Sequence, residues 1–188
     1  MRAAVALVAM GATACGPPVL RGIDAAGWRG FEQFLAEEDA VDSYREFVDY
    51  LEREGVADVV APWHLWRQGT DWRDLEEPGF AQPDVAMWPA MVPTLVVLRD
   101  DVIPVTGAVR VVSGFRTERY NERAGGASGS RHKSFEAVDV VPLWPWTRSR
   151  LHTRLRTLFE DVGPDRRMGL GLYSGVRFHV DTHRFRTW

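Results

Sequence analysis

The apolar residues change their spacing once along the chain, near residue 105, and that change limits the folds open to it. Before it the period is helical. Phe31, Phe34 and Leu35 recur at helix spacing, as do Val41, Tyr44, Val48 and Leu51, with Gly55 as a stop. "TLVVLRDDV" predicts one more helix. "APWHLWRQGTDWRDLEEPGFAQPDVAMWP", dense in proline, glycine and tryptophan, reads as an ordered irregular loop. After residue 105 short alternating runs take over, and "AVRVVSGF", "EAVDVV", "GLGLY" and "VRFHVDT" each predict a strand. One amphipathic helix interrupts them. Its apolar face is Leu151, Leu155, Leu158 and Phe159, with Thr147 as its cap and Gly163 as its end. Helices first, then strands around one inserted helix, predict an α+β fold: a helical N-terminal half packed on a small antiparallel sheet.

A chain of 188 residues that is 45% hydrophobic suits a single domain with its own core. Its net charge of -3 gives no reason to expect nucleic acid or an anionic membrane surface as partner. The beginning, "MRAAVALVAMGATAC", has one positive charge at Arg2, a short apolar run and small residues before Cys15. This is the layout of a secretory signal, and the run is too short to span a bilayer. Cys15 is the single cysteine, so no intrachain disulfide is possible. "Ala12-Thr13-Ala14-Cys15" resembles a bacterial lipobox with alanine where leucine is usual; an ordinary cleaved signal ending near a cysteine is the alternative. The expected organisation is a signal peptide over 1–14, a linker bearing the lipid anchor over 15–26 and one domain over 27–188. The expected location is the cell envelope, periplasmic or anchored to a membrane.

With the cysteine placed at the N-terminus, a catalytic metal site would have to be built from histidine and carboxylate. Of the five histidines, His152 lies in the amphipathic helix and reads as a surface or boundary residue, and His64 sits in the tryptophan-rich loop as a packing or capping residue. His183 follows the last strand. In "VRFHVDT" alternation sends Arg177, His179 and Asp181 to one face; in "EAVDVV" it groups Ala137, Asp139 and Val141. If these strands are near each other, Asp139 and His179 can face one cleft, and the loop with His132 can fold back over it. A His and an Asp seven apart do not by themselves decide between a metal site and two unrelated residues. The clustered Trp63, Trp66, Trp72 and Trp88 read as core or loop anchors, with a glycan platform as the alternative.

Several words stand in a telling order: "SGFRTERYN", "GGASGSRH", "AVDVVP", "GLGLY" and "RFHVDT". Together they resemble the zinc D-alanyl-D-alanine carboxypeptidase family of cell-wall metallopeptidases, which shares its fold with the hedgehog signalling domain. The resemblance covers about residues 105–188, through Ser113, Gly114, Phe115 and Arg116, then Ser130, His132 and Asp139, then Gly169, Gly171, Tyr173 and His179. It implies one zinc ion held by His132, Asp139 and His179, and a water activated there to attack a peptide carbonyl. Arg116 matches the family arginine that grips a substrate carboxylate, a task suited to a planar guanidinium; an ion pair with a nearby glutamate is the other reading. Ser130 would bond near the substrate or stabilise its turn.

The chain departs from the family pattern in two places. Phe135 occupies a position where many relatives have glycine, which is expected to alter the turn or narrow the cleft. Val176 and Arg177 stand where family branches carry an acid or a histidine that assists the water. Asp181 could act on the water, orient His179 from behind, or pair with an arginine. The resemblance thus implies a zinc peptidase acting on peptidoglycan stem peptides, as a D-Ala-D-Ala carboxypeptidase or a D-Ala endopeptidase, and the N-terminal segment implies its export. The missing acid motivates the alternative, a non-catalytic zinc-containing module that binds peptidoglycan or a protein.

Overall fold

The computed structural model describes the backbone from residue 18 and side chains from residue 27 through to Trp188. The signal segment 1–14 and Cys15 therefore lie outside the described residues. Helices α1 (Pro18–Glu37) and α2 (Val41–Arg53) come first, so α1 begins inside the stretch that the sequence reads as a linker. The tryptophan-rich segment is irregular apart from two 3-10 turns, Pro62–Trp66 and Val85–Met87. The helix expected around residues 94–102 is longer: α3 (Trp88–Val97) passes through a π-helical turn, Leu98–Val102, into α4 (Ile103–Thr106).

All four expected strands are present as β1 (Val109–Ser113), β2 (Ala137–Pro142), β3 (Gly169–Leu172) and β4 (Phe178–Asp181). A two-residue β5 (Arg186–Thr187), too short to show an alternating pattern, completes the sheet. Helices α5 (Glu118–Arg123) and α6 (Arg148–Arg166) lie between β1 and β2 and between β2 and β3. The order is β1-β2-β4-β3-β5, antiparallel except for β5, which runs parallel to β3.

Alternation divides the two faces of this sheet. Val138, Val140, Leu170, Phe178 and Val180 are fully buried in one core with Leu151 and Leu155 of α6 and Met91 and Leu95 of α3. Burying each such side chain contributes about 1.5–3 kcal/mol. Asp139 and His179, between those residues in sequence, must point to the other face. The helical half closes around an aromatic cluster in which Trp66 packs on Phe31, Phe47 and Tyr44. Trp63, Trp66 and Trp88 are buried there, as core anchors.

Two local expectations are corrected. Thr147 caps α6 as expected, but Gly163 does not end it: the helix runs on to Arg166 and closes at Arg167, whose φ is +53°. Gly163 is instead a packing residue, because a Cβ there would sit 2.8 Å from the Phe185 ring. His152, expected at the surface or boundary, is buried on the same helix.

Candidate metal centre

The register of the central strands builds the site. Asp139 on β2 is the direct cross-strand partner of His179 on β4, and His179 is in turn opposite Gly171 on β3. Ser113 pairs with Asp139 from β1, so one row crosses four strands on the face away from the core. His132 enters from the loop between α5 and β2, which is tied down by Arg116 N–H donating to the His132 carbonyl at 3.1 Å.

Each position of "SGFR" has a visible task. Gly114 passes so close to the Leu65 backbone that any Cβ would overlap it. That contact is held by Gly114 N–H to the Arg67 carbonyl at 2.7 Å and Phe115 N–H to the Leu65 carbonyl at 2.8 Å. The Gly114 carbonyl is thereby aimed at His132 Nδ1, 2.7 Å away. Ser113 Oγ donates to the Gln68 carbonyl at 2.6 Å and accepts from Arg116 Nε at 2.8 Å. Arg116 Nη2 then donates to Asp139 Oδ2 at 2.9 Å. The arginine thus pairs with the expected metal-ligand carboxylate and not with a nearby glutamate.

Three atoms converge. His132 Nε2 and His179 Nδ1 are 3.2 Å apart, and Asp139 Oδ1 lies 3.1 Å from His179 Nδ1 and 3.3 Å from His132 Nε2. All three residues are buried. The hydrogen bonds behind the rings decide which atoms face inward with lone pairs. A carbonyl can only accept, so His132 carries its proton on Nδ1 toward Gly114. Asp181 Oδ2 is 3.0 Å from His179 Nε2 and places that ring's proton there. Neutral rings in these tautomers turn two nitrogen lone pairs and a carboxylate oxygen toward one point, an arrangement that calls for a cation at its centre. The triangle's edges also fit zinc, since tetrahedral ligands at roughly 2.0–2.1 Å are separated by roughly 3.3–3.4 Å. His132, Asp139 and His179 fit such an ion in number, donor type and spacing, and they form the single group of this kind among the described residues.

Electrostatics follow the same geometry. Burial lowers the pKa of His132 and keeps its ring neutral. Burial works to raise that of Asp139, but the two imidazoles outweigh it and hold the carboxyl well below the usual range. For His179 burial works downward, and the neighbouring carboxylates of Asp139 and Asp181 overcome it and raise the pKa.

Asp181, read from sequence as catalytic or orienting, stands behind His179 and is fully buried. Both of its oxygens are occupied: Arg186 donates to Oδ1 at 3.0 Å and to Oδ2 at 2.7 Å, and His183 N–H donates to Oδ1 at 2.9 Å. The glycines of "GLGLY" make room for this layer. A Cβ on Gly169 would overlap the Asp181 carboxylate, and one on Gly171 would meet the Trp188 ring at 2.8 Å.

The metal triangle borders a cleft of about 400 Å³ whose walls include Arg116, Ser130, Tyr173 and Trp188. Ser130 is on this wall, with its own N–H turned to the Ala127 carbonyl at 3.0 Å. Among the described residues, no Asp or Glu lines the cleft. At the two positions that depart from the family pattern, Val176 packs against the core and Arg177 stacks its guanidinium 4.4 Å over the Tyr173 ring. Phe135 does not narrow the cleft. Its φ of +57° keeps the left-handed turn that glycine would adopt, and its ring is buried against Phe47 and Phe115.

Sequence reasoning missed four contributors. Tyr173 was a motif position without a role, yet its hydroxyl donates to Asp139 Oδ1 at 3.0 Å. Gln68 Oε1 accepts from Thr117 N–H and Oγ–H, both at 2.9 Å, and anchors the arginine's turn; only its place in an irregular loop could have hinted at this. Arg186 and Trp188 reach the site through β5, which carries no pattern.

The family model of peptidase M15 matches residues 78–173, half of the chain, and spans Arg116, Ser130, His132, Asp139 and Tyr173. The chain belongs to the peptidase M15 family. The match places the chain in the M15 zinc D-alanyl-D-alanine carboxypeptidase family; His179 and Asp181 lie beyond the matched residues and join Asp139 through the β2–β4 register. No curated protein and no solved structure matches the chain. Membership in a zinc-dependent peptidase family and a buried His-Asp-His group together support a metallopeptidase.

Proposed function

We propose that this M15 domain is a zinc peptidase that hydrolyses peptidoglycan stem peptides at a bond involving D-alanine. The observation that carries the reading is the buried triangle of His132, Asp139 and His179 beside a cleft that also presents Arg116. Zinc, when bound, supplies Lewis acidity toward a peptide carbonyl and lowers the pKa of water toward neutrality.

The chain's own residues prepare that chemistry. Gly114 and Asp181 fix the two imidazole tautomers, and Arg116 and Tyr173 hold the two oxygens of Asp139. Ordering these side chains in advance removes reorganisation from the reaction. Gly126, Ala127 and Gly129 form part of the wall, which leaves room for a compact residue such as alanine. Arg116 is committed through Nε and Nη2, so a substrate carboxylate would meet the remaining edge of the guanidinium. Tyr173 and Ser130 supply the hydroxyl protons on the wall; no carboxylate does.

That last feature favours a second reading, a zinc-containing module that binds peptidoglycan or a protein without cleaving it. Mass spectrometry of defined muropeptides, monomers and crosslinked dimers, with and without a zinc chelator, separates the two. Chelator-sensitive loss of one D-alanine supports a carboxypeptidase, and splitting of dimers an endopeptidase. Intact muropeptides from zinc-loaded protein move the assignment to the binding module.

The reading also carries export and a lipid anchor at Cys15, supported by the sequence of residues 1–15. Cys15→Ser should release the protein from the membrane fraction, and unchanged fractionation contradicts lipidation.

A further inference from the structure

The loop after β2 and the start of α6 carry a second feature, on the side of the sheet opposite the metal. Helix α6 packs Leu151, Leu155 and Leu158 into the core that holds Val138 and Val140, whereas Asp139 points away from that core. Within the first nine residues of α6 stand Arg148, Arg150, Arg154 and Arg156, all exposed. None of the four has an ion-pair partner among the described residues, whereas the exposed Arg45, Arg99, Arg119 and Arg123 each have one. The first turn of α6 contains no acid. Cations at that end oppose the helix dipole, so this placement is unfavourable for the isolated fold. The charge is therefore local: the chain as a whole is net negative at -3.

Two tryptophans adjoin the arginines. Trp146 is fixed by Nε1–H donating to the Thr106 carbonyl at 2.9 Å, with Arg150 5.7 Å from its ring centroid. Trp144 rests on Gly107, where a Cβ would come within 2.8 Å of the indole, and is still 59% exposed. Gly107 has φ +76°, so a side chain is excluded there by backbone conformation as well as by the ring. The loop thus holds an indole outward on a rigid base. Arg150 separates two shallow depressions of about 290 and 380 Å³, the first walled by Trp144 and Trp146 and the second by Ser149, Thr153 and Arg154.

We infer that Trp144, Trp146 and the arginines of α6 form a docking surface for an anionic lipid bilayer. Charge complementarity chooses the partner: Arg150 and Arg154, one helical turn apart and without counter-charges, meet phosphate headgroups, with Arg148 and Arg156 adding to the local charge, and an outward indole suits the interfacial zone where tryptophan is enriched. The surface is shallow, as a planar partner requires. Its position matters as well. The sheet stands between it and the metal cleft, so docking leaves the cleft open to the aqueous side. This inference does not depend on the peptidase reading.

The test is partition of the full chain between solution and vesicles, for wild type, Arg150→Glu/Arg154→Glu and Trp144→Ala. Vesicles of phosphatidylcholine with about one-third phosphatidylglycerol are compared with pure phosphatidylcholine. Residues 1–26 are common to all variants, so their contribution cancels in the comparison. Wild type should bind the anionic vesicles in a salt-sensitive manner, and the double variant should bind at least about tenfold less. Trp144→Ala should weaken binding at both low and high salt. Zinc content of every variant should match wild type, which separates lost docking from lost folding. Equal partition of wild type and double variant overturns the inference, as does equal binding to neutral vesicles. Retention by a soluble anionic polysaccharide without binding to anionic vesicles also overturns it, in favour of a polymer partner.

Discussion

Asp139 and His179 are direct partners across the β2–β4 register, and Oδ1 of the one lies 3.1 Å from Nδ1 of the other. A single-residue slip of either strand would turn one of them into the core, so the same hydrophobic pattern that fixes the sheet fixes the site. Asp181, two residues further along β4, shares that face and reaches His179 from the other side of the ring.

Asp181→Asn should therefore weaken zinc binding without removing a ligand. Loss of a carboxylate behind a ligating histidine costs about 10- to 100-fold in metal affinity. Competition against a chromogenic chelator measures this. Unchanged affinity would leave Asp181 as a mere partner of Arg186.

Arg116 binds through two nitrogens at once, Nη2 to Asp139 and Nε to Ser113 and the Gln68 carbonyl. Lysine cannot reproduce that fork. Arg116→Lys should thus impair substrate binding about as much as Arg116→Ala, while both variants keep zinc. Lysine restoring wild-type KM would show that charge alone is needed.

Phe135 holds a left-handed backbone and a fully buried ring between two metal ligands in sequence. Removing such a ring costs about 3–5 kcal/mol, and glycine recovers about 1–2 kcal/mol of backbone strain. Phe135→Gly should be destabilised by a net of roughly 1–4 kcal/mol in denaturant titration while still binding zinc. A stable variant without zinc would place the residue's role at the ligands and not in the core.

His64 is buried beside Trp63, and burial, aided by Arg67 and Arg110, lowers its pKa to about 3. The unfolded chain takes up this proton near pH 6.5, well before the folded one does. Its contribution to stability is thus fully present above that pH and is lost as pH falls toward 3, by up to about 1.4 kcal/mol per pH unit. His64→Gln should show a shallower loss of stability between pH 6 and pH 4 than wild type, about one proton's worth. Parallel curves would contradict a neutral, buried His64.

The sheet was legible because its strands alternate: Val138 and Val140 against Asp139, Phe178 and Val180 against His179. The ligands were legible only as words in order, since spacing could not say that β2 and β4 are neighbours. Other parts were out of reach. Arg186 meets Asp181 through a two-residue strand with no pattern of its own. Gly163 looked like a helix stop because glycine usually is one, whereas here the ring of Phe185 requires it. Phe135 looked like an obstruction because sequence does not show where a side chain points once its backbone turns left-handed.

The most direct test of the account is a zinc titration of metal-stripped protein, wild type beside His132→Ala and His179→Ala, followed by calorimetry. The account predicts one tight site in wild type, proton release on binding, and loss of that site in both variants. Full zinc occupancy in either variant would contradict a centre built from His132, Asp139 and His179.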